Sequence, residues 1–474
     1  MAGRMFLGVL ACCVATAAHA SPRTDPTTGR AVFTGSTLPN ATSISLNPAA
    51  LGLGSATEIY LAVVAVLDQL SIDRSLLDIE SGALTDGPHS TLTELGPGGM
   101  AAIVWHPGER GSVGFEVRTP PPESVGDLDP ALRYQLLRLH QRNIIATIGG
   151  AIRVGRFRFG ASVSHDNTLL HLRYARDTAL DTGLASDCGG APCGVENPEA
   201  SESYDVTVRS PWVSGSNARL NIGFVARVYR NTWLGVGYHT PPGFAIQSAL
   251  AGRMDVRRAP RDGFEELHGD SVVYVHFPAS VDGELRMRMP ELALDLHLGA
   301  RWEDLSRMQA YDVRGFGSTF RATNVPEWVE RPRGFHDSFA AWAGAEQYYT
   351  GPRDVWYDRL SFGGRLGFET ASLREERTTA MTMAPASLTG DLGAQITLGS
   401  WQVQLSYGVQ LFRTVDVTTS DYDPRSQLDC TASGYDYTTA GCEAVRLGYA
   451  VPTAAGEYQR FQHALRLGLR YELP

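Results

Sequence analysis

Asp295 and His297 stand two apart, so in an extended chain both side chains point the same way, and Ser406 follows on a separate run. A serine hydrolase draws its nucleophile, its base and its orienting acid from such a set. Nothing in the spacing brings Ser406 to the other two, and the plainer reading makes all three inner polar residues of a sheet. Arginine is the other residue type with chemistry to offer. The 41 basic residues include no lysine. Arg219, Arg227, Arg365, Arg466 and Arg470 each fall on the polar side of an alternating run. A guanidinium so placed can grip a carboxylate through two parallel hydrogen bonds. Arg466, Arg470 and Arg365 are therefore candidates for a ligand's head group. The alternative pairs such arginines with Asp295, Asp391 and Glu291 to fill an interior. Asp421, Asp423 and Asp429 could hold calcium, but a solvated acidic loop fits them as well. No motif calls for a metal or a cofactor.

What could position these groups begins at the N-terminus. Arg4, the apolar stretch Met5 to Ala18 and the small-x-small triplet Ala18-His19-Ala20 form a secretory signal, cut after Ala20. A lipidated Cys12 or Cys13 is the rival, and Val9, Leu10 and Ala11 suit it poorly. Export leaves Cys188, Cys193, Cys430 and Cys442. The local pairs Cys188–Cys193 and Cys430–Cys442 would each staple a polar loop in an oxidising compartment. A four-thiolate metal site is the alternative, and the spacings are unlike zinc pairs.

The rest of the chain is governed by period-two alternation. Phe157, Phe159, Ala161 and Val163 oppose Arg156, Arg158, Gly160 and Ser162. Leu220, Ile222 and Phe224 oppose Arg219, Asn221 and Gly223, and Leu294, Leu296 and Leu298 oppose Asp295, His297 and Gly299. Trp401 to Leu411 and Leu465 to Tyr471 repeat the pattern. These runs of about 9–13 residues suit tilted strands crossing a bilayer. Lipid satisfies no backbone group, so such strands must close on themselves, which predicts an all-β, antiparallel transmembrane barrel. Short turns at Gly155-Arg156, Arg230-Asn231 and Gly399-Ser400 alternate with long polar segments near 176–216, 256–270 and 416–458, as periplasmic turns alternate with outer loops. No later segment offers the apolar run of a membrane helix. A net charge of −10 argues against nucleic-acid binding.

Three segments break the pattern. Asp129-Pro130 reads as N-cap and first residue of a helix over Asp129–Arg142, with Leu132, Leu136 and Leu137 on one side. It either packs on the rim or forms half of an apolar landing groove. Pro120-Pro121-Pro122 reads as a loop start rather than a gap in the wall. The stretch from Ser21 to Gly54 does not alternate, and its small residues around Asn47-Pro48-Ala49 suit a plug inside a lumen.

Taken in order, these features resemble the FadL/TodX family of outer-membrane hydrophobic-compound transporters. The resemblance rests on Asn47-Pro-Ala-Ala-Leu51, Asn221-Ile-Gly-Phe-Val-Ala-Arg227, Leu234-Gly-Val-Gly-Tyr-His-Thr-Pro241, Met289-Pro-Glu-Leu292, Arg353-Asp-Val-Trp356 and Phe362-Gly-Gly-Arg-Leu-Gly367. It implies about 14 strands over 56–474, a hatch over 21–55 that includes Asn47, Pro48 and Ala49, and an outer groove near Leu132, Leu136 and Leu137. It also implies a monomer that takes up fatty acid-like apolar molecules from the outer face and releases them sideways into the bilayer. An open, water-filled porin or structural barrel and an outer-membrane lipase are the competing functions.

Overall fold

The computed structural model describes residues 25–79, 81–125, 132–177, 205–244, 247–258, 263, 265–316, 328–352, 355–436 and 438–473. The signal segment 1–20 and the Cys188–Cys193 pair lie outside them, as do Asp129 and Pro130.

β1 (Glu58–Leu77) pairs with β2 (Leu84–Trp105) on one side and with the last strand, β14 (Gly456–Glu472), on the other, so the sheet meets itself. β3 runs over Gly111–Thr119 and resumes at Glu123–Val125. β4 (Arg138–Val154), β5 (Phe157–Asp177) and β6 (Asp205–Tyr229) follow as long unbroken hairpins. The next four strands are each interrupted once. β7 covers Thr232–His239 and Ser248–Arg257, and β8 covers Glu266–Val275 and Ser280–Met289. β9 covers Leu294–Glu303 and Ala310–Phe316, and β10 covers Trp328–Pro332 and Ser338–Thr350. β11 (Arg359–Glu369), β12 (Ser387–Leu398) and β13 (Trp401–Phe412, then Val415–Val417) complete a closed antiparallel barrel of 14 strands. Closure joins the first and last strands, so the sheet has no free terminal strand to expose unpaired N–H and C=O groups to lipid.

Several strands are about twice as long as a bilayer needs, and the extra length has its own chemistry. In the lower half of β5, Phe157, Phe159 and Val163 are exposed on the wall while Ser162, Ser164 and Asp166 are buried inside. Beyond Thr168 the apolar residues change sides. Leu170, Leu172 and Tyr174 face inward with Leu139 of β4 and Val206 and Val208 of β6, in one large apolar cluster. The outward positions become Arg138, Arg173 and Arg209, in register with one another. A strand in lipid turns its apolar side out; above the lipid it must turn that side in. The reversal marks where the wall leaves the membrane. The inner face is thus polar only in the lower half, whereas the sequence reading made it polar throughout.

The helix expected over Asp129–Arg142 does not form in its described part. Leu132 to Gln135 make a single turn, and β4 has begun by Arg138. Leu139 stands opposite Leu172 in the ladder, and that pairing overrides helical spacing. Leu132 and Leu136 are buried in the inner cluster, while Leu137 is half-buried. Part of the expected loop 176–216 is wall as well, since β5 runs to Asp177 and β6 starts at Asp205.

The N-terminal segment carries α1 (Ser43–Leu46) and a 3₁₀ turn over Pro48–Leu53. The connection from β13 to β14 holds α2 (Arg425–Ala432) and α3 (Ala440–Arg446), tied by the Cys430–Cys442 disulfide with 4.5 Å between the Cα atoms. Reduction should loosen this loop and leave the wall intact. Limited proteolysis of the reduced barrel is expected to cut within 418–455 while the heat-modifiable gel shift of the folded barrel persists.

Candidate ligand path through the barrel

Residues from Asp25 to Gly54 are almost wholly buried against inward-facing side chains of the wall. The seat of Asn47-Pro48-Ala49 is a row of glycines. Gly160 of β5, Gly223 of β6 and Gly237 of β7 are neighbours in the ladder. A Cβ added at Gly160 would lie 2.3 Å from the Ala49 nitrogen, one at Gly223 2.0 Å from Asn47 Oδ1, and one at Gly237 2.6 Å from the Leu46 carbonyl oxygen. The lack of side chains there lets the turn lie directly on the wall. Asn47 then serves both sides of the contact. Its Oδ1 accepts from the Ala49 N–H at 3.2 Å, and its Nδ2 donates to the carbonyls of Ser36 at 2.8 Å and Phe224 at 3.2 Å.

Charged side chains hold the rest of the segment. Arg365 donates to the carbonyls of Gly29 (3.2 Å) and Thr34 (2.7 Å), and Arg466 donates to the Thr27 carbonyl (3.3 Å) and to Tyr60 Oη. Arg118 pairs with Asp25, Ser45 donates to Glu116, and Thr37 Oγ1 donates to Glu284 at 2.5 Å. Arg470, the third head-group candidate, pairs with Glu58 and reaches Glu472 at 3.2 Å. The partners proposed from sequence differ: Arg219 takes Asp166 at 3.0 Å, while Asp295 accepts from Arg288 at 3.0 Å.

Two cavities flank this segment. The lower, about 450 Å³, is a polar vestibule lined by Arg153, Arg227, Arg288, Arg359 and Arg470, with Phe33 and Leu38 of the N-terminal segment in its roof. The upper, about 260 Å³, lies between Pro26 and Arg30 of that segment and the apolar cluster above. Leu70, Leu92, Phe335, Met308, Met381 and Met383 line it. Met381 and Met383 belong to residues 370–386, between β11 and β12, where Leu373 and Ala380 are buried with them. Methionine is flexible and polarisable, and it suits an adaptable apolar site. The polar groups of this cavity include Arg460, which pairs with Asp68 at 2.5 Å and donates to the Met383 carbonyl at 3.2 Å. The sequence reading passed over Arg460 and the 370–386 segment. Their signal was available in Met381-Thr-Met383, an apolar pair in a stretch too polar for a strand.

Pro121 and Pro122 also border the upper cavity. The ladder between β2 and β3 runs from Trp105↔Val113 to Gly99↔Thr119 and stops there, while β2 stays paired to β1 as far as Leu84. β3 resumes against β4 alone. The three prolines therefore interrupt the wall rather than start a loop, because proline has no N–H for the ladder. They fill the break by packing on glycine: a Cβ at Gly96 would meet Pro122 Cδ at 2.9 Å, and one at Gly98 would meet Pro121 Cδ at 2.8 Å.

Other sequence candidates disperse. Asp421 is taken by Arg377 (2.8 Å) and Asp423 by Arg425 (2.7 Å), so the three loop aspartates form no calcium cluster among the described residues. Asp295, His297 and Glu346 bring one ligand atom each within 4.8 Å of one another, but Arg288 already occupies Asp295. Ser406 lies on β13 between Gly393 and Arg466 in the ladder, and His297 lies near Glu284 and Glu346 instead, at 3.6 Å from each.

No protein-family model matches the chain, and no curated protein resembles it significantly in sequence. Solved structures do. A FadL homologue from Pseudomonas aeruginosa superposes with a TM-score of 0.71 at 15% identity, covering 92% of this chain and 95% of that one. This chain has the fold of the FadL and TodX transporters. The toluene transporter TodX of Pseudomonas putida matches at 0.61 and 15% identity, covering 97% and 98%, and the monoaromatic hydrocarbon channel CymD at 0.59 and 13%, covering 96% and 97%. Within this barrel, three of the segments that carried the sequence resemblance touch the N-terminal segment. Gly223, Gly237 and Arg365 lie in them.

Proposed function

We propose that the protein sits in the bacterial outer membrane and takes up small hydrophobic molecules, aromatic hydrocarbons or long-chain fatty acid-like compounds, by diffusion. Residues 25–54 act as the hatch, and the molecule leaves sideways at Pro120–Pro122. The observation that carries this reading is an apolar cavity cut off from a polar vestibule by a clamped segment, with a break in the wall beside it. An apolar solute gains about 0.8 kcal/mol per methylene buried, so the upper cavity draws it out of water without any bond chemistry. Arg365 and Arg466 are hatch clamps in this scheme. Arg460 replaces them as the group that meets a polar head, since it alone of the three lines the apolar cavity. An open porin accounts poorly for a lumen whose N-terminal segment is packed against glycine backbone.

Native mass spectrometry of the barrel purified in mild detergent tests the proposal. It should retain an apolar molecule from the host, whereas an empty lumen that conducts ions steadily would overturn it. Within the cavity, Met381→Asp places a carboxylate among apolar neighbours. Fluorescence displacement is expected to read at least a tenfold loss of affinity for an apolar probe, since an uncompensated buried charge is costly. Unchanged affinity would remove this cavity from the path.

A further inference from the structure

The vestibule below the N-terminal segment carries more positive charge than its own carboxylates answer. Seven arginines line it, against Asp295 and Glu346. Arg286 and Arg288 share Asp295 at 3.3 and 3.0 Å, and Arg470 takes Glu58. Glu346 lies between His297 and the Phe33 N–H. Arg359 has no carboxylate; it lies over the Tyr348 ring at 4.1 Å and donates to Ser361 at 3.3 Å. The other three share one corner. Arg153 of β4 stands directly opposite Arg158 of β5. Arg227 of β6 bonds through its backbone N–H to the Arg156 carbonyl beside them, and both flanking charges are within electrostatic reach of Arg158. None of the three joins an ion pair among the described residues, and the guanidinium groups of Arg153 and Arg227 have no acceptor of any kind there. Arg158 is only 8% exposed. Its Nε donates to the Gly52 carbonyl at 2.8 Å, and its Nη1 donates to the carbonyls of Gly155 and Phe157 at 3.0 Å each. Its Nη2 is left without an acceptor on the vestibule side.

We propose that this corner of the vestibule binds a small multivalent oxyanion of the phosphate class, which enters from the end of the barrel that carries the short turns. Arg158 is held ready by three carbonyls, and the free guanidinium groups of Arg153 and Arg227 can turn onto the same anion. Guanidinium forks match phosphate oxygens, and a cleft lined by one sign of charge concentrates the opposite ion. A single carboxylate has two oxygens and satisfies one fork, whereas a phosphate can meet several at once. The volume of about 450 Å³ admits a molecule of pyrophosphate size and excludes a folded acidic partner. A lipid head group fits the place poorly, because the vestibule lies inside the closed ladder and an acyl chain would have to cross it. Since Arg158 also holds Gly52, a bound anion ties the end of the N-terminal segment more firmly to the wall. The site does not depend on what the barrel takes up.

The test is calorimetric titration of inorganic pyrophosphate into the full-length barrel, in non-ionic detergent at physiological salt. Wild type is expected to show saturable binding at one site, and the double variant Arg153→Gln, Arg227→Gln is expected to bind at least tenfold more weakly. Arg158 stays native in that variant, so its bond to Gly52 is kept. Arg446→Gln, exposed on α3 in the outer loop, should bind as wild type. Absence of saturable binding, or equal binding by the double variant, overturns the proposal. Equal affinity for succinate overturns the phosphate class. Preferential retention of phosphatidic acid over pyrophosphate, read by native mass spectrometry, would put the anion on a lipid and overturn it too. Heat-modifiable migration on gels reports folding. If the double variant fails to fold, Arg227→Gln alone carries the test, with about a threefold loss expected and no loss overturning the idea.

Discussion

Replacing Gly223 by valine is expected to unseat the Asn47-Pro48-Ala49 turn and make the closed barrel leak. The position allows no side chain, since a Cβ there would lie 2.0 Å from Asn47 Oδ1 and 2.8 Å from the Ala49 nitrogen. Overpacking of this kind costs about 1–3 kcal/mol or more, and the strain relaxes wherever the structure yields most easily. The wall does not yield, because Gly223 is laddered to Gly160 on one side and Gly237 on the other inside a closed sheet. The N-terminal segment does, because it is short and has no ladder of its own. Once displaced, Asn47 loses the carbonyls of Ser36 and Phe224, and the segment between Leu46 and Leu51 has nothing to rest on. Planar-bilayer recordings should show frequent conductance steps for Gly223→Val and few for wild type, with Gly223→Ala between them. Gly283→Val is the control, since a Cβ there meets nothing within 4 Å. A silent Gly223→Val barrel would mean that this turn does not close the lumen. Deletion of residues 21–54 should give the largest conductance of all.

The wall was legible because lipid enforces a rule that a single sequence can display. Phe157, Phe159 and Val163 alternate with small polar residues for no reason other than the two solvents they face, and the structure keeps every one of them outward. The rule fails where the solvent changes. Above Thr168 the same strand turns Leu170, Leu172 and Tyr174 inward, and an alternation whose phase flips looks from sequence like the end of a strand. That is why the outer half of the barrel read as loops, and why Leu132 to Leu137 read as a helix. The site was less legible still. Arg365 and Arg466 were singled out correctly as inward-facing, but their acceptors are main-chain carbonyls at Gly29, Thr34 and Thr27, and a carbonyl leaves no mark in a sequence. The glycines at 160, 223 and 237 read as ordinary small lumen residues. Only the register shows that they line up, and only the close approach of Asn47 and Ala49 explains why they carry no side chain.

Restoring backbone donors at the three prolines is expected to close the exit proposed there. In the native chain β3 leaves β2 after Thr119, and the stretch of β2 from Leu84 to Gly98 is hydrogen-bonded to β1 alone. Pro121 and Pro122 lie on Gly98 and Gly96, filling the break with apolar surface that makes no hydrogen bonds across it. Such a seam opens at little cost, since parting it breaks no ladder, and it borders the apolar cavity. Changing Pro120-Pro121-Pro122 to Thr-Val-Thr supplies three N–H groups and three β-branched residues, so β3 can continue along β2 toward Gly96. Each added ladder bond contributes about 0.5–1.5 kcal/mol net in water and more where lipid offers no substitute partner. Opening the sealed seam then means breaking several bonds at once. Uptake of a fluorescent apolar ligand by cells carrying this variant should fall at least tenfold, while the purified barrel still retains the ligand by native mass spectrometry. That combination separates a blocked exit from a ruined binding site. If uptake stays at the native rate with a folded barrel, the molecule leaves by another route, and the vestibule beneath the N-terminal segment becomes the place to look.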